Sequence, residues 1–226
     1  AFTIVADIDE KRMEAGLLKL VGKFFAGFRP SGNGFVRPAR VELCNVFDEM
    51  ISRKTHEANA VVGGYAPSLY EEKERLATVL LSNILAGPAM NSILNSILRE
   101  KHGWVYGVES SYTQYADTGI LAISLGCEKE NLDKCLAAID KEILQTQELT
   151  ERKLNAAKKQ LLGQLAISSD NGEAQCLSMG KSLLAYDKVW TGAETRSQIE
   201  GITSGQIMQM ACRIFAPGKT LSLIHI

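Results

Sequence analysis

Between Ile97 and Cys127 the hydrophobic period of this chain changes from three-and-four to two, and that change limits the architectures open to it. Met90, Ile93, Leu94, Ile97 and Leu98 recur at the spacing of one apolar helical face. Gly103 predicts the helix end, because glycine tolerates the left-handed backbone that a helix C-terminus needs. From Trp104 the pattern alternates, so Trp104, Tyr106, Val108, Ser110 and Tyr112 are expected on one face of a strand. Ala116-Asp117-Thr118-Gly119 supplies turn residues, and Ile120 to Cys127 is expected to return as a second strand. Helix, glycine break and long hairpin therefore form one unit. Arg99 falls in the last helical turn and Tyr106 on the first strand, seven positions later. Two polar side chains flanking one bend can converge on one ligand.

The rest of the chain supplies what this unit packs against. Phe2 to Ala6 reads as a short apolar strand, and Asp9 as the N-cap of a helix over 10–25 with Met13, Leu17, Val21 and Phe24 on one side. Residues 29–38 place Pro30 and Pro38 around Ser31, Gly32, Asn33 and Gly34, which is linker composition. Glu57 to Tyr65 reads as a strand ended by Pro67. Ser68 and Glu71 form a capping-box pattern before a helix with Leu76, Leu80, Ile84 and Leu85 inward. Gly87-Pro88 breaks that helix, and the next begins near Ala89. Helices are expected at 129–147, at 151–168 behind Thr150, from Glu173 to Tyr186, and from Ser204 to Phe215 behind Thr203 and Gln206. Leu221 to Ile226 suits a closing strand. Strands, then paired helices, then a last strand indicate α+β: an antiparallel sheet with helices packed on one face. Gly63-Gly64 inside a strand marks a bulge or a close backbone approach, which a facing half would supply.

Composition removes several function classes. Of 226 residues, 46% are hydrophobic, enough for a sizeable core. The net charge is -1 and no basic cluster is interleaved with aromatics, so neither nucleic acid nor an anionic membrane is an expected partner. No apolar run is long enough to span a bilayer. Cys44, Cys127, Cys135, Cys176 and Cys212 are odd in number and lack a C-x-x-C spacing. Small buried apolar side chains are the expected reading for each, and free thiols favour a reducing, cytoplasmic setting while leaving the compartment unassigned.

The catalytic chemistry visible in the chain is partial. His56, His102 and His225 are far apart, and no H-E-x-x-H or H-x-x-E-H spacing exists. His56-Glu57 opens like the former, but position 60 is Ala. His56 and His102 read as surface side chains. Gly32-x-Gly34 lacks a third glycine, so a dinucleotide site fails. Ser110-Ser111 and Ser168-Ser169 have no histidine near them. Lys158-Lys159 reads as a solvated helix face. Arg99 and Tyr106 remain, with bland alternatives: Arg99 as a helix-end cation, Tyr106 as half-buried core.

Leu98-Arg-Glu-Lys-His-Gly-Trp-Val-Tyr106, Tyr115-Ala-Asp-Thr-Gly119 and Ala156-Ala-Lys-Lys-Gln-Leu161 together resemble the second half of the insulinase/pitrilysin family of zinc peptidases, nearest its processing-peptidase-like branch. The resemblance covers nearly the whole chain. It implies the repeated-half fold of that family, whose first half carries the zinc motif and whose second half has none. It implies that residues 1–28 are the tail of the preceding zinc-bearing domain, 29–40 the hinge linker, and 41–226 the metal-free peptidase-like domain. It carries catalytic roles to Arg99 and Tyr106, as donors reaching a peptide bound between the halves. A phenol O–H and a guanidinium are suited to steady a carbonyl oxygen that gains negative charge. The implied function is the substrate-binding, transition-state-supporting half of a zinc metalloendopeptidase, inactive alone. Zinc belongs to the full enzyme, with none bound by this chain. The implied partners are a peptide substrate and the upstream zinc-bearing half or a partner chain, with self-association through the uncovered face. The alternative is a non-catalytic structural or partner subunit of the same fold.

Overall fold

The computed structural model describes residues 3–5, 10–27, 39, 46–52, 55–146, 149–216 and 219–226. Asp9, the Gly32-x-Gly34 pair, Cys44 and nearly all of the expected hinge at 29–40 lie outside the described residues. The chain divides into two compact units, one made of 1–37 with 166–189 and the other of 38–165 with 190–226.

The smaller unit contains helix α1 (Glu10–Phe25). Residues 3–5 are not a strand, contrary to the reading of Phe2–Ala6. Thr3 bonds to a helix instead: its hydroxyl donates to the Cys176 carbonyl at 3.0 Å, and the Cys176 thiol donates back to the Thr3 carbonyl at 3.1 Å. An extended segment whose polar groups are taken this way has no ladder to join.

The larger unit is built on a five-stranded sheet in the order β1-β5-β2-β4-β3, with β1 (Asp48–Ile51), β2 (Glu57–Ala66), β3 (Val105–Gln114), β4 (Gly119–Glu128) and β5 (Leu221–His225). Every pairing is antiparallel except β1 with β5, which is parallel. The fully antiparallel sheet expected from sequence thus gains one parallel edge pair, through the unanticipated strand β1. Period-two burial sets the inward face: Ala58, Ala60 and Val62 of β2 meet Leu121, Ile123, Leu125 and Cys127 of β4. The described helices of the larger unit are α2 (Glu72–Ala86), a π-helix over Asn95–Lys101, a 3₁₀ turn over Lys129–Asn131 leading into α3 (Leu132–Gln145), most of α4 (Glu151–Ser169), α6 (Gly192–Glu200) and α7 (Ser204–Ile214). Helix α5 (Gly172–Tyr186) belongs to the smaller unit. The core joins the inward sheet face to Leu80, Leu81 and Leu85 of α2, Ile139 of α3, Leu154 of α4, and Ile207, Met210 and Ile214 of α7. The α+β class read from the sequence is the observed one.

The helix starts show which local signals survive packing. Thr203 with Gln206 makes both bonds of a capping box. Thr191 with Glu194 makes another and starts α6, a helix that sequence reading passed over although its Thr-x-x-Glu signal was present. Ser68 with Glu71 makes only half a box: the Glu71 carboxylate accepts the Ser68 N–H at 2.7 Å, and α2 begins at Glu72. The other Glu71 oxygen accepts from Arg213 at 2.9 Å, so the carboxylate ties α2 to α7 as well. Lys158 is not a solvated side chain. It is 9% exposed and its ammonium donates to the Glu200 carbonyl at 2.8 Å, closing the C-terminus of α6. Lys159 is exposed as expected.

Cys127 and Cys135 are buried, Cys176 is half-buried, and Cys212 is exposed, against expectation. Burial pushes the Cys135 thiol from 9.0 up to about 12, and burial also raises Cys127, which hydrogen-bonds Cys135. A thiol whose folded value lies above its unfolded one favours the folded state below pH 9, and that contribution is lost as pH climbs toward 12. The melting temperature is therefore expected to drop across that range, and to drop less in Cys135→Ala. Thiol labelling at neutral pH should reach Cys212 well before Cys127 or Cys135.

Candidate functional site

Two one-residue irregularities bring Arg99 and Tyr106 to the same place. The first is in the helix. Instead of an α-helix from Ala89, the chain passes through turns after Gly87-Pro88 and enters a π-helix at Asn95. Its exit is one residue wider than a Schellman close. The Gly103 N–H bonds the Arg99 carbonyl at 3.0 Å, and the Trp104 N–H bonds the Leu98 carbonyl at 2.8 Å. Gly103 has φ +62°, the left-handed value anticipated from the sequence. Leu94 and Leu98 are fully buried, while Asn95 and Arg99, the residue after each, line the open side.

The second irregularity is in the strand. Val105 pairs with Cys127, but Gly107 pairs with Gly126, so Tyr106 is the extra residue of a β-bulge. Strict alternation would place Tyr106 with Val108, Ser110 and Tyr112. The bulge resets the phase instead: Val105 and Val108 are buried, and Tyr106 turns outward with 63% of its surface exposed. The face assignment from sequence is thus corrected at Tyr106 by a single inserted residue. The half-buried-core reading of Tyr106 fails with it.

Arg99 and Tyr106 line one cleft of about 720 Å³. Its floor is the outward face of β2, β4 and β3, with Asn59, Gly126 and Gly107 in one row and Val61, Ser124 and Glu109 in the next. Gly87 and Pro88 form one rim. Asn95 braces the wall: its amide nitrogen lies 2.9 Å from the Ser92 hydroxyl, 3.5 Å from the Gly87 carbonyl and 3.4 Å from the Val108 carbonyl. The residue four before Arg99 therefore bonds the residue two after Tyr106, which couples helix to strand. The Arg99 side chain is half exposed and its Nε lies 3.9 Å from Glu100, a surface pair of little energetic weight. Glu57 and Glu109 are the carboxylates of the lining, and the Ser124 hydroxyl donates to Glu109 at 3.4 Å.

His56 and His102 do not line this cleft, while His225 pairs across the ladder with Asn59 of its floor. His56 is exposed, and His102 stacks on Trp104 at 4.1 Å between ring centroids. Lys134 approaches the other partner of that stack, 5.8 Å from the Trp104 ring centre. Among the described residues no three His, Cys, Asp or Glu side chains come together as a metal would need. Ser110 shares a 2.9 Å hydroxyl contact with Ser82, a packing bond between β3 and α2.

Comparison with known proteins agrees with this architecture. The chain is 27% identical over 178 residues to an uncharacterized zinc protease of Streptomyces coelicolor, covering 78% of this chain and 38% of that protein. It is 25% identical over 211 residues to the uncharacterized zinc protease YmxG of Bacillus subtilis, covering 92% of this chain and 50% of the relative. The chain thus spans half or less of the length of these curated relatives. Its fold is that of the crystallised peptidase M16 inactive domain from Pseudomonas fluorescens, with a TM-score of 0.76 at 19% identity over 97% of this chain and 52% of the other. Residues 1–161 match the family described as the peptidase M16 inactive domain, so the chain belongs to that family, as its sequence resemblance implied.

Proposed function

We propose that this chain is the substrate-binding half of a zinc metalloendopeptidase, and that Arg99 and Tyr106 act on the peptide held there. The observation that carries the reading is the pairing of the π-helix with the β-bulge. Two departures from regular structure, each of which costs pairing or packing, deliver one guanidinium and one phenol to the same open cleft. Hydrolysis of a peptide bond builds negative charge on the carbonyl oxygen. Fixed donors that meet this charge lower the barrier without reorganising during the reaction. The cleft shape suits an extended peptide, since its floor is a sheet face and its rims are a loop and a helix end.

The donors of the described residues do not fit zinc, so the reading assigns zinc to the other half, upstream of this chain or on a partner. The chain by itself is expected to hold no stoichiometric zinc by elemental analysis and to leave fluorescein-labelled casein intact. Mixed with its zinc-bearing half, it is expected to restore cleavage, and Arg99→Ala is expected to lower the restored rate at least tenfold. Casein cleavage by the chain alone would overturn the assignment. An unaffected rate with Arg99→Ala and Tyr106→Phe would favour the structural-subunit alternative.

A further inference from the structure

A second pocket, of about 230 Å³, opens on the far side of the cleft's rim. Gly87, Pro88 and Ser110 line both spaces, so the two meet at that loop. The pocket lies between α2 and β3, which is an edge strand of the sheet. Its other walls are Val79, Ser82 and Asn83 of α2 with Tyr112 and Gln114 of β3. The two spaces differ in charge. The cleft holds Arg99, Glu57 and Glu109, whereas among the described residues no charged side chain lines the pocket. The pocket walls are polar all the same, and most of their polar groups are already held. Tyr112 donates its hydroxyl to the Pro67 carbonyl at 2.6 Å. The Asn83 amide is held at both ends: its nitrogen donates to Gln164 at 2.8 Å, and its oxygen accepts from Gln160 at 3.3 Å. The Ser82 and Ser110 hydroxyls are bonded to each other. Gln114 is the exception. It is half-buried, and its side-chain amide bonds to none of the described residues.

We propose that this pocket is a side-chain subsite in which Gln114 selects a carboxamide, the glutamine or asparagine side chain of a peptide held in the cleft. The inference rests on the proposed function and adds a specificity residue and the class of side chain it takes. A primary amide carries both donors and an acceptor, so two facing amides satisfy each other with two hydrogen bonds. A carboxylate or an ammonium matches only half of the Gln114 amide, and it would leave water for walls that offer no opposite charge. An aliphatic side chain would cover the Gln114 amide without pairing it. The held walls sharpen the choice. Asn83, Tyr112 and the serine pair turn to a new ligand only by breaking a bond they already make, so discrimination falls on Gln114.

The test measures cleavage of a positional-scanning library of internally quenched peptides by the two-half enzyme, as kcat/KM for each side chain at each position. One peptide position is expected to favour glutamine and asparagine over glutamate and lysine by about tenfold, the worth of two neutral hydrogen bonds. Gln114→Glu is expected to turn that position toward lysine, and Gln114→Lys toward glutamate, with the other positions and the melting temperature unchanged. Such a reciprocal swap needs contact with the ligand; a side chain that only supports the fold would lower all rates together. A wild-type profile without the amide preference overturns the inference, and so does a preference that neither variant moves. Arg99→Ala measured in parallel separates the two levels. If it lowers cleavage of every peptide while both Gln114 variants keep the wild-type profile, the subsite alone is wrong. If the two-half enzyme cleaves no peptide of the library, the proposed function fails and the subsite with it.

Discussion

Tyr106→Phe in the assembled two-half enzyme is expected to lower kcat roughly ten- to a thousandfold while KM changes little, the signature of a lost donor to a developing oxyanion. The change removes one O–H and keeps the ring. Tyr106 projects from a bulge into open cleft, so phenylalanine leaves the core untouched. The folded fraction and the melting temperature should therefore match the wild type, and any loss of rate reports on chemistry. A kcat equal to wild type, with normal folding, would remove Tyr106 from the mechanism. A proportionate rise in KM with kcat intact would assign it to ground-state binding instead.

Gly64→Ala is expected to be the most damaging small substitution in the fold. A methyl at this position would overlap the Ile214 carbonyl oxygen and stand 2.9 Å from its carbonyl carbon and 3.1 Å from its Cγ2. Ile214 is the buried last residue of α7, packed over the middle of the sheet. The obstacle is mostly backbone, so it cannot rotate aside; α7 must move or β2 must bend. Overpacking of this kind costs about 3 kcal/mol at the upper end of its usual range. For a chain of this size that is a fall in Tm on the order of 10 °C. Gly16→Ala in α1 is the control: nothing lies within 4 Å of its Cβ, and helix propensity favours alanine. Equal melting temperatures for Gly64→Ala and wild type would mean that α7 does not seat on β2. The glycine pair also locates the close approach that the sequence suggested. It comes from α7 and β4 of the same unit rather than from a facing half.

What the sequence determined by itself is the set of local decisions that have local causes. Alternation made β2 and β4 legible, since one buried face and one open face impose a period of two. Gly103 marked the helix end because few other residues adopt its backbone without strain. Thr203 and Gln206 marked α7 because both capping bonds close within four residues. The α+β class and the pairing of Arg99 with Tyr106 followed from these elements and from the motif around them. Three features were decided only in the tertiary structure. Strand β1 forms because β5 offers it a parallel edge, a partner more than 150 residues away that no local pattern announces. Lys158 is buried because the end of α6 presents it with the Glu200 carbonyl, which turns a charge that looked solvated into a cap. Above all, the outward turn of Tyr106 depends on a bulge that arises when β3 is laid against β4. A single strand has no register, so one surplus residue is invisible until the partner strand counts it. Residue identity named the candidate pair, and inter-strand pairing set its phenol at an open cleft.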